Sequence, residues 1–133
     1  MSSPGLVRIL YIEDEPDIQA IARLALVAVG GFTVEICSSG QEALQMVTSF
    51  HPDLILLDVM MPEMDGPATL KALRTLPETT RTPVIFMTAK VQSHEVLQYK
   101  EMGAIDVISK PFDPMTLSST ICSIWASYHD HSS

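Results

Sequence analysis

Short apolar runs alternate along the chain with segments in which apolar residues recur every three or four positions. Five of the runs are rich in aliphatic and β-branched residues and predict strands at residues 7–12, 32–37, 54–57, 83–87 and 106–109. Their hydrophobicity is nearly continuous, which is typical of strands covered on both faces of a parallel sheet. The pattern therefore predicts five buried, parallel strands.

The segments with helical spacing predict five helices, one after each strand. The first spans residues 18–29, and Gly30 and Gly31 supply the left-handed residue that ends it. The second, third and fourth begin near Ser39, Gly66 and Ser93. The last has Asp113 as its N-cap and Pro114 at its first helical position.

Strand and helix alternate five times, and right-handed crossovers place the helices on both faces of such a sheet. The predicted fold class is therefore α/β, with a doubly wound parallel sheet. The predicted elements use nearly all of the sequence, from about residue 6 to about residue 128. We expect residues 1–133 to form a single domain without an output domain.

Composition narrows the functional classes. The 133 residues carry a formal net charge of −8, which removes the cationic surface that attracts nucleic acid or an anionic membrane. The longest apolar stretches fall far short of the ~20 residues of a membrane-spanning helix, and the N-terminus lacks a secretory pattern. The two cysteines, Cys37 and Cys122, do not form a disulfide framework. We expect a reduced, cytoplasmic protein with no direct nucleic-acid partner and no membrane partner.

Polar residues stand where the predicted strands end. Glu13 and Asp14 follow the first strand, Asp58 the third, Thr88 the fourth and Lys110 the fifth. The three carboxylates would meet if the first and third strands pair, because reactive groups of a doubly wound sheet gather at the carboxyl ends of its strands. Carboxylates held together repel until a proton or a cation relieves them. A set of oxygen ligands without Cys or His favours Mg²⁺ over Zn²⁺.

Four short motifs coincide with these strand ends: ILYIED at 9–14, LLDVMMPEMDG at 56–66, MTA at 87–89 and SKPF at 109–112. Together they closely resemble the receiver domain of two-component response regulators, in the form of a stand-alone, chemotaxis-regulator-like receiver. The intervals also fit that family, with 44 residues from Asp14 to Asp58, 30 to Thr88 and 22 to Lys110. The resemblance implies a flavodoxin-like sheet with strand order 2-1-3-4-5.

The resemblance also implies roles for the strand-end residues. Asp58 would be the phospho-acceptor, Lys110 would balance the charge of the phosphoryl group, and the Thr88 hydroxyl would contact it. The implied Mg²⁺ ligands are Asp14, Asp58, the Met60 backbone carbonyl and, through water, Glu13. The peptide bond from Lys110 to Pro111 would be cis, which an X-Pro bond permits at modest cost.

By the same resemblance, the phosphoryl group would come from a sensor histidine kinase or a histidine phosphotransfer protein. The phosphorylated form would bind a downstream protein target or pass the group along a relay. The chain would not be a turnover enzyme, since it would modify only itself and dephosphorylate slowly. One position departs from the family, because Val107 stands where an aromatic switch residue is common.

Three alternatives stay open at this point. A haloacid-dehalogenase-like phosphatase also uses a strand-end Asp with Mg²⁺, but its general acid is a second Asp two residues later, where this chain has Met60. A flavin or nucleotide binder would want a phosphate-binding loop after the first strand, where this chain has acidic residues. A degenerate receiver would act as a scaffold without phosphorylation, and the complete set of strand-end residues argues against it.

Overall fold

Five parallel strands form one sheet in the order β2-β1-β3-β4-β5, as predicted. The structure is a computed structural model that describes residues 5–132, with side chains described to residue 130. The strands are β1 Arg8–Ile12, β2 Thr33–Cys37, β3 Leu54–Asp58, β4 Val84–Thr88 and β5 Asp106–Ser109. All five lie within one or two residues of the apolar runs that predicted them.

Five α-helices connect and follow the strands. They are α1 Pro16–Arg23, α2 Gly40–Phe50, α3 Gly66–Leu73, α4 Ser93–Glu101 and α5 Leu117–Ser132. A π-helical segment, Leu24–Val29, continues α1, and a short 3-10 helix, Pro77–Thr79, precedes β4. Within residues 5–132, no helix is both long enough and apolar enough to cross a membrane.

Alternate residues of β1 serve two separate hydrophobic cores. Ile9 and Tyr11 pack in the core beneath α1 and α5, whereas Leu10 and Ile12 pack in the core beneath α2 and α3. This division follows from the two-residue repeat of a strand, which points successive side chains to opposite faces. Both faces of the sheet are therefore covered, as the nearly continuous hydrophobicity of the strands predicted.

The end of the first helix differs from the prediction of a regular helix. In the π-helical segment, the Gly30 N–H donates to the Ala25 carbonyl at 3.1 Å, five residues back. The same carbonyl accepts a hydrogen bond of 2.8 Å from the Ser118 hydroxyl of α5. The wider turn exposes this carbonyl to a second donor. Gly31, with φ +75°, is the left-handed residue, whereas Gly30 stays right-handed.

The start of the last helix also differs from the prediction. Asp113 caps the turn as expected, because its carboxylate accepts from the Met115 N–H at 2.9 Å. Residues 114–116 form a turn, however, and the regular helix begins only at Leu117, whose N–H donates to the Asp113 carbonyl at 3.0 Å. The cap is therefore correct and the predicted helix start at Pro114 is three residues early.

Helix α4 is held more loosely than the other helices. All nine of its residues are described, and none of them is buried. The Tyr99 ring packs on the core beneath α2 and α3, where it lies edge-on to the Phe86 ring of β4 at a centroid distance of 5.3 Å. An exposed ion pair of 3.9 Å between Lys100 and Asp106 links its last turn to β5.

Candidate functional site

The three predicted carboxylates meet at the carboxyl ends of β1 and β3. These strands are direct neighbours, with Ile12 paired to Leu57, so the residues that follow them lie side by side. One carboxylate oxygen each from Glu13, Asp14 and Asp58 lies within 4.8 Å of the other two. Glu13 is fully buried and Asp58 is 2% exposed. The sheet order therefore forces negative charges together in a place with little solvent.

Lys110 brings a positive charge into this cluster. Its backbone N–H donates to the Thr88 carbonyl at 2.9 Å, which fixes the residue just beyond the end of β5. The Lys110 ammonium lies 2.8 Å from Glu13 Oε1 and 3.3 Å from Asp58 Oδ2. The following bond to Pro111 is cis, as the resemblance implied. Lys110 is thus shared by two carboxylates and lies nearer to Glu13.

Thr88 and Met60 flank Asp58. Asp58 is the last residue of β3 and pairs with Met87, so Thr88 lies one residue further along β4. Thr88 is 2% exposed, and its hydroxyl accepts a hydrogen bond of 3.1 Å from the Lys90 N–H. The Met60 N–H donates to Asp58 Oδ1 at 3.3 Å. The proposed roles of the Thr88 hydroxyl and the Met60 carbonyl stay predictions.

Tyr11 also belongs to this site, although its place in an apolar run predicted only a strand residue. It is fully buried, and its hydroxyl donates to Glu13 Oε1 at 3.2 Å. Burial and the charge of Glu13 raise the pKa of the Tyr11 phenol above its usual value, so the hydroxyl keeps its proton. The available signal was an aromatic residue with a polar tip two positions before Glu13, hence on the same face of an aliphatic strand.

Gly66 shapes the loop that follows Asp58. Its N–H donates to the Val59 carbonyl at 2.9 Å, so the first turn of α3 lies directly against the end of β3. A Cβ at this position would lie 2.7 Å from the Asp58 carbonyl oxygen and 2.8 Å from Val59 Cα. The sequence indicated Gly66 as a helix start, but only the structure reveals this close approach to the backbone of Asp58.

The electrostatic balance of the site disfavours a charged Asp58. Burial, with the nearby charge of Glu13, raises the pKa of Asp58 to about 6, although Lys110 opposes the shift. Burial alone would lower the pKa of Lys110, but its hydrogen bond to Glu13 and the charge of Asp58 raise it overall. Lys110 therefore stays protonated, and its charge offsets only part of the cost of burying the ionised form of Asp58.

This balance predicts a pH-dependent stability difference between the wild type and Asp58→Asn in EDTA. The raised pKa of Asp58 means that its protonated form favours folding below about pH 4, and this advantage is lost as the pH rises through about 6. Asp58→Asn has no such titration, so its midpoint of thermal unfolding should gain on the wild type between pH 4 and pH 7. Thermal unfolding followed by circular dichroism measures the difference. A difference between the wild type and Asp58→Asn that stays constant from pH 4 to pH 7 would contradict this interpretation.

The residues present fit a magnesium ion. Asp14 Oδ1 is buried and has no hydrogen-bond partner among the described residues. A buried acceptor without a donor is costly, and a cation would satisfy it. The cluster supplies only oxygen ligands, which suits Mg²⁺ rather than Zn²⁺. It is an acidic pocket of the kind at which receiver domains bind Mg²⁺.

Solved structures with the same architecture cover nearly the whole chain. The chemotaxis response regulator CheY4 of Vibrio cholerae superposes with a TM-score of 0.82 at 29% identity, over 90% of this chain and 98% of that one. The signal receiver domain of a histidine kinase from Syntrophus aciditrophicus gives a TM-score of 0.76 at 33% identity, over 91% of each chain. Both are similar to this chain in fold and sequence.

Curated relatives match the same region of the sequence. The regulatory protein AtoC of Escherichia coli is 40% identical over 80% of this chain, which is 22% of its own length. The transcriptional regulatory protein DltR of Streptococcus agalactiae is 37% identical over 86% of this chain, which is 50% of its own length. The chain thus spans half or less of the length of these relatives. The family model of the response regulator receiver domain matches residues 9–122. With its sheet order and its acidic pocket, this chain belongs to the response regulator receiver domain family.

Proposed function

We propose that this chain accepts one phosphoryl group on Asp58 and signals through the surface that changes as a result. The observation that carries the proposal is the position of Asp58, buried at the end of β3 with Lys110 at 3.3 Å and two further carboxylates beside it. The donor would be a histidine kinase or a histidine phosphotransfer protein, which also leads us to propose a cytoplasmic location. Family membership supports the role of phospho-acceptor.

In the proposed reaction, a carboxylate oxygen of Asp58 attacks the phosphorus of a phosphohistidine. The new O–P bond makes an acyl phosphate, the P–N bond breaks, and the leaving nitrogen keeps the electron pair and takes a proton. Asp14, Asp58 and the Met60 carbonyl would hold Mg²⁺, with Glu13 acting through water. The ion supplies positive charge that offsets the carboxylates and the phosphoryl oxygens.

Two side chains of the chain itself would then stabilise the product. Lys110 would pair with a phosphoryl oxygen from the side where it now contacts Asp58. The Thr88 hydroxyl, which is buried one residue beyond Met87, would donate to another phosphoryl oxygen. Its present bond from the Lys90 N–H links that change to the loop before α4.

Incubation with acetyl phosphate and Mg²⁺, followed by intact-mass analysis, tests the proposal. We expect one phosphoryl addition per chain, and none when EDTA removes the metal. The competing phosphatase reading predicts continuous release of phosphate from p-nitrophenyl phosphate instead. A chain that gains no phosphoryl group with either acetyl phosphate or a phosphohistidine donor would contradict the proposal.

We further propose that the receiver unit, about residues 6–128, acts on a separate protein or in a relay rather than on nucleic acid directly. The acidic net charge of −8 supports this reading. A second output is favoured by the names of the relatives, which include a transcriptional regulatory protein and a DNA-binding response regulator. In that case the receiver would control a DNA-binding partner or domain. Pull-down of partners with the beryllofluoride form, with and without DNA, separates the two outputs.

The lifetime of the acyl phosphate provides a separate prediction about Met60 and Lys90. Met60 is 67% exposed beside Asp58. Its thioether is only a weak acceptor and the Lys90 ammonium offers donors alone, so neither orients an attacking water as an amide or a carboxylate would. We expect Met60→Asn and Lys90→Glu each to speed hydrolysis by about fivefold, the worth of one added hydrogen bond of about 1 kcal/mol. Decay of the phosphorylated mass gives the rates.

The matched controls carry the same changes at distant exposed positions. These are Met115→Asn, in the turn before α5, and Lys71→Glu, in α3. Both should leave the lifetime unchanged. If Met60→Asn and Lys90→Glu also leave it unchanged, or lengthen it, water positioning at these two sites does not control the decay.

A further inference from the structure

The Glu13 carboxylate accepts three hydrogen bonds from protein donors, although Glu13 is expected to face a metal. Its Oε1 accepts from the Lys110 ammonium at 2.8 Å and from the Tyr11 hydroxyl at 3.2 Å. Its Oε2 accepts from the Glu15 N–H at 3.2 Å. Glu13 is fully buried, so water cannot replace a donor that leaves without a rearrangement of the site.

The movable donor in this set is Lys110. Tyr11 is fixed by its strand and by the core around its ring, and the Glu15 N–H belongs to the backbone before α1. Lys110 has a flexible stem, is 15% exposed at its side chain, and already lies 3.3 Å from Asp58. Phosphorylation of Asp58 would draw the Lys110 ammonium towards the phosphoryl oxygens and away from Glu13.

The departure of Lys110 would strip a buried carboxylate oxygen of a charged donor. A buried acceptor left without a partner costs about 1–3 kcal/mol, and more when it is charged. The Tyr11 hydroxyl stays on the same oxygen and limits that cost. A phenylalanine would pack in the same space, so packing alone does not account for the hydroxyl at this position.

We propose that Tyr11 is a positioning residue whose hydroxyl holds Glu13 Oε1 and thereby releases Lys110 to serve the phosphoryl group on Asp58. The inference rests on the proposed function, since it names a residue that acts on that same site. Tyr11 touches neither Asp58 nor the phosphoryl group in this account. It acts only through Glu13.

Tyr11→Phe tests the proposal, with Tyr99→Phe as the matched control. Tyr99→Phe removes the same hydroxyl from a tyrosine of α4, whose ring contacts Phe86. At saturating Mg²⁺ we expect Tyr11→Phe to slow phosphorylation by acetyl phosphate about tenfold, which corresponds to one lost hydrogen bond to a charged group. Tyr99→Phe should keep the wild-type rate. Urea unfolding in EDTA checks that both variants are folded.

Two further measurements separate positioning from packing. The NMR signal of the Lys110 ammonium should shift when beryllofluoride and Mg²⁺ are added to the wild type, and should shift less in Tyr11→Phe. In a Glu13→Gln background, which removes the charge that Lys110 would leave behind, Tyr11→Phe should add little further loss. An equal tenfold loss in that background would overturn the proposal in favour of packing.

The outcomes also keep this proposal apart from the proposed function. A Tyr11→Phe variant that is phosphorylated at the wild-type rate would overturn the role of Tyr11 and leave phosphorylation of Asp58 intact. A wild-type chain that accepts no phosphoryl group would overturn the proposed function itself. Binding of beryllofluoride, followed by the Lys110 signal, reports on Tyr11 without any turnover of a phosphodonor.

Discussion

Asp58→Asn is expected to take up no phosphoryl group under conditions that modify the wild type fully. The amide keeps the size of the carboxylate, but it lacks the anionic oxygen that forms the acyl phosphate. Its shape also lets it fill the place of Asp58, although its one carbonyl oxygen can accept from only one of the two donors, the Lys110 ammonium and the Met60 N–H. Intact-mass analysis after incubation with acetyl phosphate and Mg²⁺ measures the effect, which should be complete rather than partial.

The control for this variant is Asp53→Asn. Asp53 immediately precedes β3, and its carboxylate accepts from the backbone N–H groups of Val7 and Arg8 at the opposite edge of the sheet. This variant carries the same chemical change at the other end of the same strand and should keep one phosphoryl addition. Full uptake by Asp58→Asn would assign the acceptor to another residue and remove the basis of the proposed function.

Gly66→Ala should give a large loss of stability as well as a loss of phosphorylation. The added Cβ would lie 2.7 Å from the Asp58 carbonyl oxygen and 2.8 Å from Val59 Cα, and neither backbone atom can rotate away. Overpacking against fixed atoms costs typically about 1–3 kcal/mol, and we expect the free energy of unfolding to fall by about 3 kcal/mol. Urea unfolding measures the loss. Because the clash involves the backbone of Asp58, the remaining folded protein should also be phosphorylated more slowly.

Gly40→Ala is the comparison for this variant, since Gly40 and Gly66 each begin a helix. A Cβ at Gly40 would meet the Thr69 hydroxyl and would lie 2.7 Å from the Met64 sulfur. The Met64 thioether can move aside, whereas the Thr69 hydroxyl can rotate away only by giving up its 2.8 Å hydrogen bond to the Asp65 carbonyl, worth about 1 kcal/mol. The loss should therefore be smaller than at Gly66, where fixed backbone atoms are met. If Gly40→Ala costs as much as Gly66→Ala, the rigidity of the backbone after Asp58 is not what makes Gly66 necessary.

The sheet and the meeting of the carboxylates were predictable because both follow from rules that act along the chain. Nearly continuous apolar runs identify buried parallel strands, and parallel strands bring their carboxyl ends to one edge. Glu13, Asp14 and Asp58 therefore had to converge once β1 and β3 were neighbours. The MTA and SKPF motifs and their spacing from Asp58 identified Thr88 and Lys110 as further residues of the predicted site. Their chemical roles remain predictions that the experiments above address.

The features that the sequence did not predict depend on partners far away along the chain. The π-helical turn is stabilised by Ser118, a residue 93 positions after the Ala25 carbonyl that it bonds. The unequal sharing of Lys110, 2.8 Å from Glu13 against 3.3 Å from Asp58, depends on side-chain conformations at three strand ends. Tyr11 likewise gains a role only from the position of Glu13. The spacing of residues along the sequence does not predict such long-range contacts.

The absence of buried residues in α4 bears on how a chemical change at Asp58 could alter a surface away from the site. A helix with no buried residue loses little hydrophobic contact when it separates from the sheet, so we expect its opening free energy to be below that of global unfolding. Its amide hydrogens should accordingly exchange with solvent in a local event that leaves the two cores intact. Val107 offers no aromatic ring at this place, and the contacts that such an event must break include the Tyr99 ring on Phe86 and the Lys100–Asp106 ion pair. A modification that changes the conformational free energy of the turn from Thr88 to Lys90 by a few kcal/mol would then suffice to change the fraction of molecules in which α4 is detached from the sheet.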